Sequence, residues 1–228
     1  MTVPHQRAQQ TRDVILRAAA REFERNGYTA TSLSAILDGS GVTKGAFYFH
    51  FASKESVAVA VVDTMHTRWA PALRRWADSN CDALQVVLGL VDELTLYCTA
   101  DQLVRAGLRL TTEHGLTVPD LLAPFPEWER IFGHLFQRAE ITGLLGPGVR
   151  PVTAAHVLVS GLAGERLAVG LAGDAQALRV RTDELLEVLM PAFACPSWTA
   201  QWRASGWQQR PLPVLVAPTA VPLDVGGG

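Results

Sequence analysis

A chain of 228 residues, 48% hydrophobic and 18% charged, is long enough to bury a substantial core. Its formal net charge of −2 excludes a global field that would draw the whole protein to nucleic acid, but the charge is uneven. Residues 1–55 carry seven Lys/Arg against five Asp/Glu, which makes a mildly basic head on an acidic body.

Three cysteines (Cys81, Cys98, Cys195) without C-x-x-C spacing argue against a disulfide framework or a zinc site. They suit a reducing cytoplasm. The polar start predicts no signal peptide. The longest apolar run, Val57–Val62, falls far short of a bilayer span, so no membrane partner is expected.

Helical spacing governs nearly every periodic segment. Over residues 7–26, Ile15, Ala19 and Phe23 recur four apart, with Arg12, Arg17, Arg21 and Arg25 on other faces. Asn26-Gly27 closes this helix with residues that tolerate left-handed backbone. Ser32 can cap a second helix carrying Leu33, Ile36 and Leu37, and Gly39-Ser40-Gly41 ends it. Thr43 can cap a third helix of about two turns. Ser53 can cap a fourth over residues 54–77, with Glu55 placed for the helix dipole. Further helices are predicted over 82–98, 101–113, 126–141, 151–171 and 178–193, with breaks at Pro119, Pro124, Pro126, Pro147 and Pro151. Strand alternation is absent. The Pro-, Val- and Gly-rich segment 208–228 reads as a loose tail or a small docked extension.

The second and third helices have the layout of a helix-turn-helix, in which the second of the pair enters the major groove. Gly41 supplies the positive φ that the turn requires. Phe47 and Phe51 can face the core while Lys44 and Tyr48 face outward. The chain has two lysines, Lys44 and Lys54, and both fall in or beside this stretch. Lys44 is the best candidate for a guanine edge, whose O6 and N7 accept hydrogen bonds. Thr43 sits with it at a helix start that favours phosphate, and Gly45 allows close approach of the backbone. Tyr48, His50 and Lys54 suit phosphates, and Ser32 at the head of the preceding helix completes the expected DNA-contacting set. The competing reading, a purely aromatic core cluster, accounts for two of the four aromatics but not for the polar residues gathered beside them.

Thr11-Arg12, Ile15-Leu16-Arg17-Ala18-Ala19, Phe23, Gly27-Tyr28, Thr31-Ser32-Leu33, Ile36, the run Gly41 to Phe51 and Ser53-Lys54-Glu55 together resemble the DNA-binding domain of the TetR family of one-component transcriptional regulators. One departure is Ala35, where many members carry the acidic residue of a capping box with Ser32. The resemblance implies an all-α fold: a three-helix helix-turn-helix domain (1–52), a helical ligand-binding and dimerisation domain (53–207), and the tail. It implies a homodimer joined through the last two long helices.

Arg105-Ala106-Gly107-Leu108-Arg109-Leu110, followed by Pro124-Phe125-Pro126-Glu127-Trp128, looks like the γ-butyrolactone receptor subfamily, regulators of antibiotic production. In that subfamily a tryptophan packs on the ligand, and Trp128 is the matching position. Spacing alone favours a core filler there; the resemblance favours the pocket. Phe125, Phe132 and Phe136 lie nearby, and an indole offers a flat apolar face with one donor. Ser160 and Thr111 are candidate hydroxyl donors to a lactone, each with the alternative of bonding back to its own helix. The other tryptophans receive no functional role.

His114 beside Glu113, His66 near Asp63, and His134 near Arg130 and Arg138 lack any metal-ligand spacing, so neither metal nor cofactor is expected. The expected function is a homodimeric repressor, bound to a near-palindromic DNA operator and released by a small lactone. The first alternative is a pseudo-receptor of the same fold responding to a butenolide, furan or antibiotic. The alternative of another class is a helical small-molecule enzyme, for which no catalytic constellation is found.

Overall fold

A computed structural model describes residues 3–112, 124–169 and 175–205, and among them the chain forms ten helices and no strand. Glu113, His114, Pro119, Trp207 and the tail 208–228 lie outside the described residues. The head comprises α1 (Val3–Ala30), α2 (Leu33–Ser40) and α3 (Lys44–His50). A long α4 (Lys54–Ala77) follows, then α5 (Ala83–Ala100), α6 (Gln102–Thr112), α7 (Pro124–Ile141), α8 (Pro151–Val169), α9 (Ala175–Phe193) and α10 (Pro196–Ser205). The predicted starts and stops agree with these bounds to within a few residues for α2–α9. Helix α10 was not anticipated. It packs on α9 and buries Trp198, whose indole N–H donates to Asp82 at 3.0 Å.

Local chemistry explains the head. Gly27 breaks α1 at φ 75°, ψ 178°, so the last turn swings away from the helix axis. The Ser32 hydroxyl accepts from the Ala35 N–H at 3.1 Å and caps α2. Gly41 ends α2 in the left-handed region, at φ 67°, and its N–H donates to the Leu37 carbonyl at 2.9 Å. Thr43 caps α3 through the Ala46 N–H at 3.2 Å. Ser53 caps α4, and Ser56 completes the reciprocal box in place of the usual acidic residue.

Two apolar clusters form the interior. The first joins Ile15, Phe23, Ile36, Phe47 and Phe51 of the head to Val57, Val61 and Met65 of α4, Tyr97 of α5, and Val104 and Leu110 of α6. The head's core therefore continues into α4 and α6, and residue 52 marks a change of helix without a gap in packing. The second cluster fills the body with Val87, Val91, Phe132, Phe136, Leu158 and Leu186. Each fully buried side chain of this size stabilises the fold by about 1.5–3 kcal/mol relative to exposure. Buried charge is compensated at Glu93, which is 1% exposed and accepts from the Trp76 indole at 2.6 Å and from Arg75.

Helices α5 and α8 are both long and apolar enough by composition to cross a bilayer, contrary to the sequence expectation. Over half of α5 is buried inside the protein, which explains its composition as that of a core helix. Helix α8 is only 22% buried and shows Val152, Val157 and Leu167 to the exterior beside Val180 and Val188 of α9.

Helix α6 lies against both α1 and α4. Its contact with α4 depends on Gly107: a Cβ there would meet Met65 Cβ and Sδ at 2.8 Å. Gly107→Ala is expected to force the helices apart and to destabilise the protein by about 1–3 kcal/mol, the usual range for overpacking. Equilibrium urea unfolding of the variant measures this directly.

Candidate functional site

The exposed face of α3 is polar and aromatic. Phe47 is fully buried and Phe51 nearly so, which leaves Lys44, Gly45, Tyr48 and Phe49 on the outside. Tyr48 stands edge-on to Phe47, with ring centroids 5.5 Å apart, and the Lys44 ammonium lies 6.0 Å from its ring. Nothing lies within 4 Å of the Cβ position at Gly45, so that point of the helix is open to a partner. Phe49, 79% exposed, has its ring edge-on to His50 at 5.0 Å. Sequence reasoning missed Phe49 as a surface residue, although its position two residues from Phe47, about 200° round the helix, carries the signal. Ser32 and Thr43 use their hydroxyl oxygens as helix caps, which leaves each hydroxyl hydrogen able to donate outward.

Lys54 is a correction. Its ammonium donates to the carbonyls of Tyr28 (2.8 Å) and Thr31 (2.7 Å) and sits 4.2 Å from the centroid of the Tyr28 ring. The reason lies in the break at Gly27: the carbonyls at the end of α1 need donors, and Lys54 supplies them. It clamps α1 to the start of α4, and two of its three N–H donors are committed to backbone carbonyls.

The body holds an apolar cavity of about 100 Å3 that opens to the exterior. Trp69 of α4, Val91 of α5, Leu108 of α6, Trp128 of α7, Val159 of α8 and Leu178 of α9 contribute walls, so six separate helices meet there. Phe125 and Phe132 line it as well. Trp128 stands edge-on to Trp69 at 5.5 Å and tilted to Phe132 at 5.8 Å. Trp69, given no role from sequence, is therefore a wall residue. Its indole N–H is buried without a hydrogen-bond partner.

Neither predicted hydroxyl donor faces this space. Ser160 is exposed, because the cavity face of α8 runs Val159, Leu162, Ala163 and Arg166, and Ser160 is rotated about 100° away from it. Thr111 is buried outside the cavity lining and donates to the Leu108 carbonyl at 2.8 Å, the back-bonding alternative. The polar residues that do line the cavity are Thr95, Cys98, Arg166 and Thr182. Thr95 donates to the Val91 carbonyl at 2.8 Å. Burial pushes the Cys98 thiol up to about 11. Among the described residues no cluster of His, Cys, Asp or Glu could hold a metal ion.

A three-point clasp joins this cavity to the head. Arg105 Nε donates to Glu24 Oε1 at 2.6 Å, Gln102 Nε2 to Glu24 Oε2 at 2.9 Å, and Arg109 Nη1 to the Glu24 carbonyl at 2.7 Å. Arg105 and Arg109 thus face α1, Gly107 faces α4, and Leu108 between them faces the cavity. Asp101 adds a bond: it caps α6 through the Leu103 N–H at 2.9 Å and pairs with Arg68 of α4 at 3.3 Å.

The cysteines give a test of the cavity's closure. With a pKa of about 11, Cys98 is about 0.1% thiolate at pH 8. The Ser197 hydroxyl, 3.2 Å from Cys195 Sγ, lowers that thiol's pKa and raises its thiolate fraction at the same pH. At pH 8 iodoacetamide is expected to alkylate Cys195 at least tenfold faster than Cys98, as read by peptide mass spectrometry.

Residues 15–61 match the bacterial regulatory proteins of the tetR family. Over 88% of its length the chain is 28% identical to the A-factor receptor protein of Streptomyces griseus, covering 70% of that protein. The crystal structure of a γ-butyrolactone receptor superposes with a TM-score of 0.72 at 30% identity, over 86% of this chain and 93% of that one. CprB from Streptomyces coelicolor, in complex with its biological operator sequence, superposes with a TM-score of 0.74 at 32% identity, over 90% and 98% of the two chains. These relatives are named as receptors and as a TetR-family protein bound to an operator. The chain belongs to the TetR family of bacterial regulatory proteins and groups within it with the γ-butyrolactone receptors.

Proposed function

We propose that the protein is a homodimeric transcriptional repressor that leaves its operator when a γ-butyrolactone-type signalling molecule fills the body cavity, and that it controls antibiotic or secondary-metabolite genes. The observation that carries this is the clasp: α6 has one residue in the cavity wall and two arginines gripping the head. Similarity to the A-factor receptor supports the class of signal, and similarity to an operator-bound relative supports the class of target. A protein that acts on operator DNA works in the cytoplasm.

The head, residues 1–52, reads DNA. Lys44 donates to a guanine edge; Tyr48, His50, Thr43 and Ser32 meet phosphates, Gly45 admits the backbone, and Phe49 is placed for a thymine methyl. The body, residues 53–207, holds the signal between Trp128, Phe125, Phe132 and Trp69. The apolar outer faces of α8 and α9 join the two protomers. Two heads then sit about 34 Å apart, one turn of DNA, and read a near-palindromic site. A ligand that displaces Leu108 and Trp69 shifts α6 and α4 together, and both grip the head. A complete switch requires about 5.5 kcal/mol of preference for the released state.

Two outcomes test the reading, once an operator has been selected from a random DNA pool. Lys44→Ala is expected to weaken operator binding by about 1–3 kcal/mol per half-site while ligand affinity and thermal stability stay at wild-type values. Unchanged operator affinity removes Lys44 from the reading set. Glu24→Ala is expected to keep ligand binding in calorimetry but to shrink the factor by which ligand lowers operator affinity. An undiminished factor rejects transmission through α6.

A further inference from the structure

Among the described residues that line the cavity of the proposed receptor function one is charged, and no described residue pairs with it. Arg166 projects from α8 into a lining that is otherwise aromatic, aliphatic or weakly polar. Its Nη2 is shielded from solvent and has no hydrogen-bond partner. The adjacent Glu165 is engaged elsewhere, with Arg181 at 3.6 Å. Burial lowers the Arg166 pKa from the ordinary guanidinium value, and the nearby Cys98 thiol, which burial keeps protonated, brings no counter-charge. A guanidinium nevertheless remains charged at neutral pH.

Several other charges that are buried or partly buried in this chain are paired. Arg75 and Trp76 answer Glu93, Asp101 answers Arg68, and Glu24 answers Arg105. An arginine left without a counter-charge in an apolar space carries a desolvation cost that only an opposite charge fully offsets. A neutral lactone carbonyl offers one acceptor and no charge. A carboxylate offers two oxygens in the planar geometry that a guanidinium fork matches.

Resting on the receptor reading above, we infer that the cavity takes an amphiphilic monocarboxylate, with its acid group on Arg166 and its alkyl chain against Trp128, Phe132 and Leu108. The apolar wall accepts the chain, and Arg166 selects the charge. A ring-opened lactone and an alkyl-substituted carboxylic acid share this chemistry.

The test uses the full-length protein, three probes (nonanoate, methyl nonanoate and γ-nonalactone) and calorimetry at pH 7.5. Nonanoate is expected to bind at least tenfold more tightly than its ester, and Arg166→Met is expected to abolish that preference while the ester still binds. Arg166→Lys should retain part of it. Because the arginine is uncompensated without ligand, Arg166→Met should also raise the melting temperature of the free protein; a residue with a merely structural role would lower it. Equal or tighter binding of the ester, absence of nonanoate binding, or a preference that survives Arg166→Met overturns the inference. Operator binding separates this from the receptor reading. If γ-nonalactone releases DNA while nonanoate does not bind, the receptor stands and the carboxylate falls. If nonanoate binds through Arg166 but leaves operator affinity unchanged, the carboxylate site stands and the receptor falls.

Discussion

Glu24 occupies the point where the head meets the body. Its carboxylate receives Arg105 and Gln102, and its backbone carbonyl receives Arg109, so a single residue of α1 holds three side chains of α6. Such partly exposed, charge-assisted bonds contribute modestly to stability. Their importance is geometric. They fix the angle of α6 to the head while Gly107 fixes its distance from α4. A short helix held on two sides has little freedom to move without carrying its neighbours along.

That constraint gives meaning to the motif Arg105-Ala106-Gly107-Leu108-Arg109-Leu110. Arg105 and Arg109, four apart, share one face of the helix, and Leu108 and Gly107 occupy two others. One turn and a half thus addresses the head, the rod α4 and the cavity at once. The head has no independent core, since Phe47 and Ile36 pack in the same cluster as Met65 and Leu110. A shift in the body therefore reaches α3 through packed side chains as well as through the clasp.

The body separates two kinds of apolar surface. The cavity face is lined by Trp69, Trp128 and Phe132 and closes around a small volume. The outer face of α8 and α9 is aliphatic, with Leu167 and Val188 largely exposed. Helix α8 serves both, which explains why it is apolar all round yet mostly unburied within one chain.

Much of this was legible in the residues themselves. Caps at Ser32, Thr43 and Ser53, the left-handed Gly41 and the inward pair Phe47 and Phe51 follow from local rules acting within one or two turns, and the sequence states them directly. The outward face of Lys44 and Tyr48 on α3 was legible for the same reason. The partners of Lys54, the wall role of Trp69, the outward turn of Ser160 and the back-bonding of Thr111 were not. Each depends on the rotational phase of a helix, or on a carbonyl left free elsewhere in the chain, and neither is encoded locally. Arg166 belongs with them: in sequence it is one of eighteen arginines, and only the packing of α4–α9 around it makes it a lone charge in an apolar cavity. The sequence by itself determined helices α1–α9, most of their ends and the exposed face of α3, because short-range sterics and hydrogen bonding decide those. Tertiary structure decided which side chains line the cavity and how α6 joins it to the head, because both are properties of helices brought together from distant parts of the chain.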